Sequence, residues 1–154
     1  MAAVIHGKKI SKSVRDEIEE ATHRMKREKG IVPGLADVLS GDDPASQIYA
    51  RGKNVCDEAG FLSKQFKLSG DTTEAELLDS IDGLNRDRQI HGFLVQLSVP
   101  KHIGIDAMIE TIDRKRDVDA FHPCNVGRLC SGNPYHSLAH PRVSSNSSTD
   151  RESR

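Results

Sequence analysis

The run GFLVQLSVP, residues 92–100, is apolar at nearly every position and carries one amide, Gln96, inside it. Such a strand has no solvent side, so it demands cover on both faces, which a layered α/β fold with a mostly parallel sheet supplies. The flanking segments agree. GKKISKSVRDEIEEATHRMKREKG sets Ile10, Val14, Ile18, Ala21 and Met25 on one stripe of an amphipathic helix that Gly30 ends. VPGLADVLSGDD reads as a strand, and Asp43-Pro44 as an N-cap and first-turn proline for a helix from about Pro44 to Ala59, stopped by Gly60. FLSKQFKL alternates like a half-buried strand, and TTEAELLDSIDGLNRD opens with a capping-box pattern. A further helix around Gly104 to Ile112 precedes the polar turn DRKRD. In a parallel sheet of this kind ligands sit at the carboxyl ends of the strands, here after Leu39, after Leu97 and around Asp117.

The 154 residues suffice for one domain with a core. With 22 Lys+Arg against 23 Asp+Glu there is no strong field, so neither nucleic acid nor an anionic membrane is the expected partner, and a small molecule is. No apolar run reaches membrane-spanning or signal-peptide length, which predicts a soluble, cytoplasmic protein. Cys56, Cys124 and Cys130 form no close pair and read as reduced thiols, with no metal site expected. From Ser131 onward the chain is serine-rich and lacks apolar periodicity, so residues 131–154 read as a disordered tail behind a domain of residues 1–130.

A helix starting at Pro44 puts Tyr49 and Lys53 at i and i+4, where both side chains can reach one ligand. The plainer alternative is a tyrosine at the core edge beside a solvated lysine. A Tyr-x-x-x-Lys couple also serves short-chain dehydrogenases, but the glycine-rich dinucleotide turn that they need is nowhere among the twelve glycines. Gln96 either satisfies a neighbouring loop or, at the strand's carboxyl end, orients a catalytic group. Asp117 and Asp119 are two apart, so in an extended segment both carboxylates face one way; lone carboxylates of this kind are more often turn or cap residues. His122 reads as structural, having no partner at ligand spacing.

Taken together, three segments resemble the bifunctional methylenetetrahydrofolate dehydrogenase/methenyltetrahydrofolate cyclohydrolase family over about residues 2–135. DDPASQIYARGK is similar to its PAS-x-x-Y-x-x-x-K segment, GFLVQLSVP to its G-x-LVQLPLP strand, and RDVDAFHPCNVGRLC to its KDVDGFH-x-x-N-x-G-R segment. The resemblance implies a homodimeric enzyme that oxidises 5,10-methylenetetrahydrofolate with NADP, or NAD in some members, and hydrolyses the methenyl product. It implies Lys53 as the catalytic lysine, Gln96 as the residue holding it, Tyr49 stacking on the folate rings, and Asp119 accepting hydrogen bonds from the pterin. A non-catalytic folate-binding or dimerising fragment, or a non-functional remnant, is the alternative.

Ser98 stands where the family has proline and Ala120 where it has glycine, while Asp37 and Ser40 interrupt a strand that is apolar in the family. A carboxylate buried at Asp37 without a partner would cost several kcal/mol, so either it reaches water or the strand is weakened. The family continues past the VGRLC-like segment into a PCTP motif and a nucleotide-binding domain, and the expectation here is an N-terminal catalytic domain with that second domain missing. Codons for HSLAHPRVSSNSSTDRESR, read one base earlier, permit FPCTPPRVKQFLDRSGIE, which contains PCTP; a frameshift near Tyr135 is the expected origin of the tail.

Overall fold

In the computed structural model the described residues are 6–40, 52, 54–97 and 99–134. Three parallel strands, β1 (Gly34–Ser40), β2 (Leu62–Leu68) and β3 (Gly92–Val95), lie in the order β2-β1-β3. The helices are α1 (Gly7–Lys29), α2 (Glu74–Arg86), α3 (Ile105–Thr111) and α4 (Pro123–Cys130). Residues 54–58 are also helical, and Gly60 follows in a left-handed conformation, as the stop signal at that position predicts. No helix among the described residues is long and apolar enough to cross a membrane.

The core lies on one face of the sheet. Ala36 and Val38 of β1 and Phe93 and Val95 of β3 pack with Leu77, Ile81 and Leu84 of α2 and with Met108 of α3. The spacing of the three α2 residues is the reason that helix turns one stripe to the sheet. Its start is fixed by Thr73: the hydroxyl accepts from Glu76 N–H at 3.3 Å while the Glu76 carboxylate accepts from Thr73 N–H at 2.8 Å. Glu74 Oε2 accepts from Gly104 N–H at the start of α3. Asn85 donates to Thr111 O at 2.7 Å and accepts from Asp113 N–H at 2.9 Å at its end. The two helices therefore run parallel, tied at both ends. Gly34, at the mouth of β1, touches the turn before β3 so closely that a Cβ there would lie 1.8 Å from Gln89 O.

The other face is covered less. Leu35, Asp37, Leu94 and Gln96 are all half-buried, and Gln65 and Lys67 of β2 are exposed. The α1 stripe is likewise only partly covered: Ile18 and Met25 stay exposed, and Thr22 is the buried residue of the helix. Its end matches expectation, with Gly30 left-handed and its N–H bonded to Lys26 O at 3.0 Å. α4 is a helix that the apolar pattern did not announce, because Val126 and Leu129 alone give too short a stripe; Pro123 at its first position was the available signal. Residues 131–132 form a turn, and the rest of the expected tail, 135–154, lies outside the described residues.

Candidate active site

At the carboxyl end of the sheet β1 and β3 continue their pairing for one residue, with Gln96 N–H donating to Val38 O at 3.0 Å. Asp37 pairs with Leu94, so Gln96, two residues further on, projects from the same face as Asp37. On the far side of β3 the sheet gains a one-residue parallel bridge, Phe93 with Asp117, reinforced by Phe93 N–H to Arg116 O at 2.9 Å. The bridge is one residue long; Asp119 follows two residues on, and its charge is felt at Asp37. The structure thus gathers Gln96 and Asp119 around Asp37.

Asp37 is where the electrostatics concentrate. Its carboxyl is raised to about 6, first by burial, against which the Gln96 side-chain hydrogen bond works, and then by the charge of Asp119. Its Oδ1 is covered and has no hydrogen-bond partner. Burial and then the neighbouring Asp117 push Asp119 upward as well. The thiol of Cys56 is raised by burial, then by the charges of Asp57 and Asp37, so Cys56 lies within electrostatic reach of Asp37. Sequence reasoning flagged Asp37 as a defect of the strand. Its alternatives resolve as a half-buried carboxyl inside a strand that keeps both its ladders.

Asp117 and Asp119 do not act as a matched pair. Asp117 is 3% exposed, and its carboxylate accepts from Phe121 N–H at 3.3 Å, His122 N–H at 2.8 Å and Asn125 Nδ2 at 2.8 Å. It organises the turn into α4, so for Asp117 the turn-or-cap reading holds, and the extended segment is replaced by a bend. His122 is the N-cap of α4, its Nδ1 accepting from Cys124 N–H at 3.2 Å. Ala120, between the site carboxylate and this cap, has φ 57°, the left-handed region. Tyr49 and Lys53 lie outside the described residues. Cys56, Cys124 and Cys130 are free, and no group of three or more possible metal ligands assembles among the described residues. A concavity between α1 and residues 55–59, lined by Lys12, Arg15, Asp16 and Glu19, lies apart from Asp37 and carries charges of both signs.

The catalytic domain of the tetrahydrofolate dehydrogenase/cyclohydrolase family matches residues 5–119. The bifunctional protein FolD of Dichelobacter nodosus is 47% identical over 134 residues, covering 86% of this chain and 46% of that protein. FolD 2 of Geobacter metallireducens is 51% identical over 135 residues, covering 87% and 47%. Among solved structures, the bifunctional FolD of Campylobacter jejuni superposes with a TM-score of 0.77 at 44% identity, covering 82% of this chain and 45% of that one. The Trypanosoma brucei FolD, solved with NADP cofactor and inhibitor, gives 0.77 at 32% identity, covering 83% and 44%. The chain spans less than half the length of these relatives. With its parallel sheet and with these matches, the chain belongs to the tetrahydrofolate dehydrogenase/cyclohydrolase family, as its N-terminal catalytic part.

Proposed function

We propose that the cleft at the carboxyl end of the sheet binds a reduced folate and that this chain carries the catalytic residues of a 5,10-methylenetetrahydrofolate dehydrogenase/5,10-methenyltetrahydrofolate cyclohydrolase. The observation that supports it most is the meeting of Gln96 and Asp119 around one half-buried carboxyl. In this reading Asp119 accepts from the pterin amino and ring N–H groups, a donor pair that suits two carboxylate oxygens. Tyr49 stacks on the folate rings. Lys53 stands three residues before Cys56, which lies within electrostatic reach of Asp37. Its amine accepts a proton from the attacking water or donates one to a bridge nitrogen, and Gln96 holds it in position.

The dehydrogenase half of the activity requires NADP. The carboxylates Asp37, Asp117 and Asp119 around this end of the sheet repel a dinucleotide pyrophosphate, and the sequence has no glycine-rich strand-to-helix turn. These residues do not fit the cofactor, and no hydride step is assigned to them. The hydrolytic step uses only Lys53, water and the folate cleft. A domain of residues 1–130, a cytoplasmic location and homodimerisation belong to the same proposal.

Loss of 5,10-methenyltetrahydrofolate absorbance, compared between the chain and Lys53→Ala, tests it. A rate that drops to the buffer background in the variant is the expected result. Equal rates leave the rival, a non-catalytic folate-binding or dimerising fragment or a non-functional remnant.

A further inference from the structure

At the amino end of the sheet the first residue of β1 is held by an imidazole. His91, just before β3, donates its backbone N–H to Gly34 O at 2.8 Å, and Gly34 N–H donates to His91 Nδ1 at 3.0 Å. A ring nitrogen accepts only while it carries no proton, so the second bond fixes the tautomer, with Nδ1 bare and the hydrogen on Nε2. His91 is exposed, whereas Gly34 is buried and has no slack: a Cβ there would lie 1.8 Å from Gln89 O. Solvent can therefore protonate the acceptor without reaching the donor.

A protonated imidazole offers no acceptor at either nitrogen. The Gly34 N–H would then face a second N–H in a place that admits no water, and a buried amide without a partner is unfavourable. It regains a partner when the turn at 89–91 lifts from β1.

We infer that His91 is an acid-released clip: its neutral ring fastens the start of β1 to the turn before β3, and a proton from solvent undoes it. The ladder from Leu35 with Gly92 to Val38 with Val95 stays paired, so the sheet frays from one end and does not come apart. His91 lies at the end opposite the proposed folate cleft, and the clip does not depend on that reading.

The charged groups around the ring come from three places. On its own turn stand exposed Arg88 and Asp87, whose carboxylate accepts from Gln89 N–H at 2.8 Å and from Lys64 Nζ at 3.1 Å. From β2 comes Lys64, which also donates to Gln89 Oε1 at 3.0 Å. From the segment after α3 comes Arg116, whose guanidinium sits on Ile90 O. Residues 31–33, leading into β1, carry no charge. Among the described residues no carboxylate pairs with the His91 ring, so no acid holds the protonated ring in place.

NMR on the full 15N-labelled chain tests the clip. At pH 7.5 the ring nitrogens, read through long-range 1H–15N couplings, should show Nε2 protonated and Nδ1 bare; the opposite tautomer overturns the inference. From pH 7.5 to 5 the Gly34 amide signal should move with the midpoint of the His91 ring. Its hydrogen-exchange protection, corrected for the intrinsic rate, should fall about tenfold or more. Unchanged protection overturns the inference. In His91→Ala the same amide should be weakly protected at both pH values. A fall of wild-type size in that variant assigns the response to carboxyls such as Asp37 and overturns the clip. If the variant does not fold, the tautomer and the wild-type protection still decide.

Discussion

Ala120 carries a side chain at φ 57° while 3% exposed. The left-handed conformation costs a non-glycine residue about 1–2 kcal/mol, and removing the buried methyl gives back about 0.8 kcal/mol of hydrophobic burial. Ala120→Gly should therefore raise stability by about 0.2–1.2 kcal/mol, read as a higher urea midpoint with an unchanged slope. Asp37 makes a second prediction at this scale. Its folded carboxyl, raised to about 6, binds its proton more tightly than the unfolded chain, at about 3.9. The stability it allows is full below about pH 4 and is lost as pH rises through about 6. After discounting for its partial access to water, the loss is about 1–2 kcal/mol. Asp37→Val should remove this fall, so that urea midpoints at pH 5 and pH 8 converge; a wild type equally stable at both would contradict the assignment. The acid in an apolar run was visible in the letters, and the family resemblance marked Ala120 as standing where a glycine is usual, but the left-handed backbone there was not foreseen. What the letters hid was the partner of Asp37: its neighbours Gln96, Cys56 and Asp119 are distant in sequence, and only the strand register brings them together.

At the scale of elements, Arg116 closes α2. Its Nη1 donates to Leu84 O at 2.9 Å, to Asp87 O at 2.7 Å and to Ile90 O, supplying the last turn with donors and a positive charge that its dipole favours. The same residue accepts through its backbone from Phe93 and precedes Asp117, so helix end, strand edge and site loop meet at one guanidinium. Arg116→Ala should cost about 2–3 kcal/mol, because charged hydrogen bonds are lost and carbonyls are left bare. Thermal denaturation measures it; a loss below about 0.5 kcal/mol would show that water replaces the guanidinium fully. The start of α2 was legible because Thr73 and Glu76 are three residues apart. Its end was not, since a cap supplied from 32 residues away leaves no local signature. α4 was missed because its apolar stripe is short, and the Asp117 carboxylate that holds its start, four to eight residues away, follows no helical period.

For the whole molecule, the alternation of strands and helices sufficed to give the layers and the parallel sheet, because apolar period and turn residues agree along the chain. Periodicity does not encode strand order, and β2 and β3 flank β1 rather than following it. The expected frameshift makes the prediction of this scale: if it occurred, genomic DNA downstream of the Tyr135 codon, read in the other frame, encodes PCTP and then a nucleotide-binding domain. Downstream bases without such a domain would sink the frameshift origin. The two sides of the sheet, finally, differ in forgiveness. The side of Ala36, Val38 and Phe93 is sealed by α2 and α3, which are latched at both ends and give way together or not at all. An acid arriving at Val38 would have neither water nor room. Asp37, one residue earlier, points to the looser side, where an abrupt chemical novelty can be carried without dismantling the protein.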